Sequence, residues 1–403
     1  MGMFSSLRKY LNLRTMHESP CSGTVSVSLV RVPRNRTVSV RFGTEEAVLH
    51  VKNPIAEFDV FPNAARTLSI DAQEYEICTR TLELESTTVK IELTKHKLKI
   101  QPTDFTRVKL LSAGRSKVYL VRYNPSGRTY ACKVRKKSEK NHALVNEKNH
   151  LVKLKSPFLI PLLASFQSEN ELFLVFPHYK RDLFSLLEGG KLPERVARVY
   201  FCEVLAGLEH VHRMGIIYKD VKPENILLDG GNHVVLCDFD ASVNAESAGM
   251  ANFQGTLEYM PPEVFTTGKY GPSYDFYTLG VLLYEMIVGE TPFQRGENED
   301  EDDLVNKILY EEAEYPGVSA EIQVLISGLM HRDPGKRLGS AGVRGSAWLQ
   351  GMDWEKVLGK AYSIDVPAPE SEEKPVEDES VEEDSCRNTV HGFTWMAEEW
   401  DEE

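Results

Sequence analysis

The 403-residue chain contains no apolar run approaching the ~18–20 residues that a helix needs to cross a bilayer, which excludes a membrane-spanning helix. Its six cysteines, Cys21, Cys78, Cys132, Cys202, Cys237 and Cys386, include no C-x-x-C pair. That spacing excludes a zinc knuckle or a disulfide scaffold and points to a reducing, cytoplasmic setting. A basic excess is also missing: 47 Lys and Arg stand against 60 Asp and Glu, a net charge of −13, so a nucleic-acid partner is not expected. The imbalance is local. Residues 370–403 hold 14 acids against Lys374 and Arg387, leaving a nearly neutral body and an acidic tail. With 41% hydrophobic and 27% charged residues, the composition is ordinary for a globular chain, and the length suggests two domains plus tails.

Residues 1–20 form a basic N-terminal segment in which Arg8, Lys9 and Arg14 precede the first acid, Glu18. Gly2 and Ser6 fit the M-G-x-x-x-[ST] pattern for myristoylation, and the nearby cations would add a second signal for a membrane surface. A frayed terminus and a transit peptide fit the same composition. Residues 21–102 read as β-structure. Val38, Val40 and Phe42 alternate with Thr37, Ser39 and Arg41, and Val89, Ile91 and Leu93 share one face of a later run. A small antiparallel sandwich or barrel is expected there, serving binding or regulation, with a ligand that the residues do not identify.

The texture changes after Gln101-Pro102. Residues 216–240, IIYKDVKPENILLDGGNHVVLCDFD, place two hydrophobic β-like runs beside polar clusters: Asp220, Lys222 and Asn225 before the first, Asp238 after the second. Carboxylates and a carboxamide gathered in this way suit Mg²⁺, a hard ion commonly shared with substrate phosphates. A lysine beside them could neutralise phosphoryl oxygens during transfer.

This pattern resembles the catalytic and metal-binding loops of protein kinases, with YKDVKPEN for H/Y-R-D-x-K-x-x-N and DFD for D-F-G. The resemblance spans residues 105–349 and implies an α+β, bilobal fold with a β-rich small lobe and a helical large lobe, preceded by the small all-β domain. It implies that Lys133 of YACK contacts the α- and β-phosphates of ATP and that Glu147 of VNEKNHL pairs with it. Leu111, Ala113, Gly114, Val118 and Ala131 would line the nucleotide site. Phe176 would be the gatekeeper, with the Pro177 carbonyl and the Tyr179 N–H at the adenine. Asp220, Lys222, Lys133 and Glu147 carry the expected catalytic roles, and Asn225 and Asp238 the expected Mg²⁺ ligation. Glu263 of GTLEYMPPE would pair with Arg337, and Asp275 and Gly280 match the buried helix under the catalytic loop.

YKD, the GMDW segment and the tail resemble the AGC group of Ser/Thr kinases. Residues 350–403 then form its C-terminal extension, in which VHGFTW, residues 390–395, resembles the hydrophobic motif that docks on the small lobe. Thr394 is the phosphorylatable position for an upstream kinase. Asp182, Glu224 and Glu285 match positions that accept arginines upstream of the target residue in basophilic members, so basic protein substrates are expected in intracellular signalling.

Four departures stand against this pattern. Leu111, Ala113 and Ser116 occupy the glycine places of the phosphate loop, and only Gly114 offers local freedom. Asp240 replaces the glycine of D-F-G, where it could repel Asp238 or add a metal contact. Lys219 replaces arginine, a poorer bidentate clamp for a phosphate. Asn252 stands where a phosphothreonine is usual. An active enzyme is expected because every residue of covalent or metal chemistry is present; a pseudokinase scaffold is the alternative.

Overall fold

The structure is a computed structural model. It describes residues 100–138, 141–247, 255–367, 390 and 393–397, together with the backbone of seven short strands between Val27 and Glu92. Two compact units divide the chain, Met1–Ile100 and Gln101–Glu403. In the first, the alternating run Thr37–Phe42 is a strand paired antiparallel with Glu45–His50 and with Leu68–Asp71, and Ile55–Asp59 pairs with Thr88–Glu92.

The second unit opens with an antiparallel sheet. Its strands are β1 (Phe105–Ala113), β2 (Lys117–Tyr123), β3 (Thr129–Lys136), β4 (Ala164–Gln167) and β5 (Glu171–Pro177). A last short strand near the C-terminus, Trp395–Met396, completes the order Trp395–Met396, β4, β5, β3, β2, β1. Strand β3 lies between β2 and β5, so Lys133 faces Val118 on one side and Leu174 on the other, and Ala131 faces Leu120 and Phe176. Helix α1 (His142–Lys153) supplies Glu147 and buries Leu144 and Leu151.

The remainder is mainly helical. In α2 (Glu194–Arg213) apolar residues recur at helical spacing and the buried face includes Val196, Tyr200, Val204, Leu208 and Val211. Helix α3 (Ser273–Val288) is apolar nearly all round, which suits the centre of a lobe, and Gly289 ends it at φ +100°. A side chain at Gly280 would put Cβ 2.8 Å from Leu329 Cβ and 2.9 Å from Met330 Cγ, so glycine is what lets α3 approach the helix Ala320–Leu329. One continuous core runs from Leu144 and Phe176 to Tyr200, Leu205, Leu279 and Leu325.

Two short strands position the polar clusters. Ile226–Leu228 and Val234–Leu236 pair antiparallel, and Asp229 Oδ1 closes the turn by accepting the N–H groups of Gly231 and His233, both at 2.9 Å. The hairpin brings Asn225, just before it, beside Asp238, just after it: the Cys237 N–H donates to the Asn225 carbonyl at 2.9 Å.

Candidate active site

Lys133 is buried, and its Nζ donates to both oxygens of Glu147 at 2.8 Å and to Asp238 Oδ1 at 2.8 Å. Burial works against the Lys133 ammonium, but the carboxylates of Glu147, Asp238 and Asp240 overcome it and hold the lysine charged. The same geometry acts on Asp238: burial raises its pKa, and the adjacent Lys133 outweighs burial and lowers it. Strand β3, helix α1 and the segment after the hairpin therefore meet at one three-membered ionic contact. The resemblance implied the Lys133–Glu147 pair; the contact of Lys133 with Asp238 is additional to it.

Asp220 is fixed from two sides. Asn225 Nδ2 donates to Asp220 Oδ2 at 2.6 Å and to its carbonyl at 2.9 Å, and Lys222 Nζ lies 3.3 Å from Oδ2. Lys222 also donates to Thr256 Oγ1 at 3.0 Å. Burial pushes the Asp220 carboxyl above its ordinary value, with the Lys222 ammonium opposing. Beneath this loop, fully buried Asp275 accepts the Lys219 N–H at Oδ1, 2.7 Å, and the Tyr218 N–H at Oδ2, 2.9 Å, and His212 Nε2 lies 2.7 Å from the same Oδ2. These bonds hold Lys219 at φ +71°, a conformation uncommon for a long side chain. Glu263 and Arg337 make the expected buried bidentate pair, both contacts 2.8 Å.

The departures acquire partners. Asp240 forms an ion pair with Arg135 on β3, a partner not considered from sequence. Arg135 Nε also donates to Ser116 Oγ of the phosphate loop at 2.8 Å. Lys219 has its ammonium 4.3 Å above the Tyr270 ring and 5.9 Å from that of Tyr274. An aromatic face thus serves where arginine would meet a phosphate. Asn252 lies outside the described residues, as do Gly2 and the rest of the first 20.

Of the residues expected to line a nucleotide, Leu111, Ala113 and Gly114 are exposed, Val118 and Ala131 are half-buried, and Phe176 is buried next to half-buried Pro177, with Tyr179 also half-buried. The three acids expected at the substrate separate into two groups. Glu285 is half-buried and accepts a hydrogen bond from the Tyr259 hydroxyl. Burial raises its pKa, the Tyr259 bond opposes this, and the charges of nearby Glu224 and Glu258 add to the rise. Asp182 instead caps the short helix Leu183–Leu187, its Oδ1 accepting the Ser185 N–H at 2.7 Å. An Asp immediately before an apolar run is a helix-start signal, so this role was readable from sequence.

The tail returns to the sheet. Trp395–Met396 pairs antiparallel with β4, with Ser165 opposite Trp395 and Ala164 opposite Met396. Phe393 is fully buried and Thr394 is exposed.

The donor set fits the expected metal. Asn225 spends its amide N–H groups on Asp220, which leaves its carboxamide oxygen as an acceptor, and Asp238 commits Oδ1 to Lys133 while its side chain remains 43% exposed. Two oxygen donors at an open position suit an ion that completes its shell with phosphate oxygens and water.

Residues 105–349 match the family model of the protein kinase domain. The chain is 35% identical over 270 residues to the serine/threonine-protein kinase AtPK1/AtPK6 of Arabidopsis thaliana, covering 63% of this chain and 57% of that protein. It is 38% identical over 271 residues to the serine/threonine-protein kinase gad8 of Schizosaccharomyces pombe, covering 64% and 47%. Over 346 residues it is 31% identical to the RAC family serine/threonine-protein kinase homolog of Dictyostelium discoideum, covering 79% and 76%. The chain spans about half the length of the first two relatives.

Proposed function

The chain belongs to the protein kinase family, and from that membership we propose that it is an AGC-type enzyme transferring the γ-phosphoryl group of ATP to Ser or Thr of protein substrates. The observation that carries this is the assembled contact of Lys133 with both Glu147 and Asp238, because a degenerate cleft has no need to keep all three charges together. Lys133, fixed by Glu147, binds the α- and β-phosphates. Asp220, oriented by Asn225, accepts the proton of the attacking hydroxyl, and burial moves its pKa in the direction that favours a base near neutral pH. Lys222 lies against Asp220 and Thr256, where it can meet the transferring oxygens. Asn225 and Asp238 would hold Mg²⁺, which supplies charge neutralisation at the phosphates.

A basophilic preference is supported by Glu224 and Glu285. They are close enough for one charge to perturb the other, and among the described residues neither makes an ion pair. An arginine upstream of the target hydroxyl would relieve that repulsion. Asp182 is a weaker candidate because its carboxylate already caps a helix. Thr394, exposed beside a docked Phe393, suits modification by an upstream kinase. Residues 21–102 serve as a small β-rich binding or regulatory domain, and residues 1–20 as a membrane-surface contact for a cytoplasmic protein.

A Mg-ATP thermal-shift titration followed by phosphorylation of an arrayed Ser/Thr peptide library tests these proposals. Stabilisation by Mg-ATP and transfer enriched for arginine two or three positions upstream are expected. Stabilisation without transfer would establish the scaffold alternative.

A further inference from the structure

Two of the departures from the family pattern lie against one another through a third residue. Arg135 follows Lys133 by two positions on β3, so both side chains leave the same face of the sheet. Its side chain is 13% exposed and reaches two segments far apart in sequence: Nε donates to Ser116 Oγ at 2.8 Å, and Nη2 pairs with Asp240 Oδ2. Ser116 stands at the third glycine place of the phosphate loop, and Asp240 at the glycine place of D-F-G. The Asp240 N–H also donates to Asp238 Oδ1 at 3.3 Å, connecting the pair to the candidate metal ligand.

We propose that Arg135 and Asp240 form a brace that positions the phosphate loop over the cleft, in place of the glycines that both segments lack, and that nucleotide binding depends on the pair rather than on either residue. A glycine-rich loop closes on phosphates through backbone freedom and close approach. Here Leu111 and Ser116 reduce that freedom, and a planar fork of donors holds the loop from below. Neither partner is indifferent to loss of the other. Asp240 Oδ1 is buried without a hydrogen-bond partner among the described residues, and Arg135 makes the direct ion pair to that carboxylate, with the Lys133 ammonium acting on it from farther off. Arg135 without Asp240 leaves a second, largely buried cation two residues from Lys133. Arg135 and Asp240 are positioning residues, and the proposal rests on the cleft being an ATP site.

The proposal reverses a simple expectation. Restoring the common residue with Asp240→Gly should impair the protein. In the full-length chain, Asp240→Gly is expected to weaken ATP binding, measured directly by calorimetry with and without Mg²⁺, by about tenfold, the equivalent of one charge-assisted hydrogen bond. KM for ATP should rise by a similar factor while kcat at saturating ATP changes less than twofold. Amide hydrogen exchange across residues 110–118 should accelerate. Adding Arg135→Leu to Asp240→Gly removes only what is left of a brace already broken, so the double variant should bind ATP about as weakly as either single substitution and no more weakly. Unchanged or tighter ATP binding in Asp240→Gly, or a double variant as weak as the two losses combined, would overturn the brace. Calorimetry and exchange need no turnover, so a chain that binds ATP without transferring phosphate would refute the enzymatic function while these two measurements still decide the brace.

Discussion

Replacing Phe393 by Ala tests whether the tail is part of the catalytic body. The Phe393 side chain is fully buried in the main core, with Val390 and Trp395 packed against the same cluster. Besides the pairing of Trp395–Met396 with β4, the surrounding backbone is held by Ser165 Oγ donating to the Phe393 carbonyl at 2.6 Å, by two bonds between Gln167 and Val390 at 3.0 and 2.8 Å, and by the Ala397 N–H donating to the Leu163 carbonyl at 2.7 Å. Emptying a buried phenylalanine site costs about 3–5 kcal/mol. A tail can also undock, which caps the loss at its docking free energy and favours the lower end. For the unit Gln101–Glu403, about 3 kcal/mol corresponds to a melting temperature lower by roughly 5 °C. Because undocking is the common end point, truncation after Asp384 should lower the melting temperature no further than Phe393→Ala does. Scanning calorimetry of both variants decides the matter. A change below about 1 °C for Phe393→Ala would show that this segment contributes nothing to the fold.

Glu263→Gln should cost about 3–5 kcal/mol in urea unfolding, since it leaves the buried Arg337 guanidinium without its counter-charge; a loss under 1 kcal/mol would contradict the buried-pair account. Asp220 must be ionised to act as base, and burial raises its pKa, so activity should fall as pH drops through a value above the ordinary ~3.9 for Asp. Lys222→Met removes the opposing ammonium and should move that acidic limb of kcat/KM further up; a limb that moves down would refute the assignment. Asp182→Asn preserves a helix cap, whereas Asp182→Ala should cost ~1 kcal/mol. Arginine preference in the peptide library should survive both Asp182 substitutions and erode in Glu224→Ala and Glu285→Ala.

Motif spacing made much of the site legible. The motifs single out Lys133, Glu147, Asp220, Asn225 and Asp238 from four stretches of the chain, and the fold joins Lys133 to Glu147 and Asp238, and Asn225 to Asp220. The YACK and VNEKNHL motifs and the turn-flanked hairpin around Asp229 carry that information locally. What escaped was pairing across the fold. Nothing near Asp240 announces Arg135, 105 positions earlier, and the two meet only because β3 faces the segment after the hairpin. The opposite signs of two unusual residues were the available hint. Lys219 likewise found Tyr270 and Tyr274 through the loop geometry set by Asp275. The tail motif was recognisable, but its addition to β4 as a strand was not, because a two-residue strand has no periodicity to read.

Single-turnover transfer from radiolabelled ATP, with the full-length chain in excess over nucleotide, tests phosphoryl transfer most directly when wild type and Asp220→Asn are run side by side on an arginine-containing Ser/Thr peptide. The assembled Lys133–Glu147–Asp238 contact and the oriented Asp220 predict labelled phosphopeptide from wild type, and a rate ~10²-fold or more lower in Asp220→Asn with nucleotide binding nearly intact. No labelled peptide from wild type, or equal rates from the two proteins, would contradict the account.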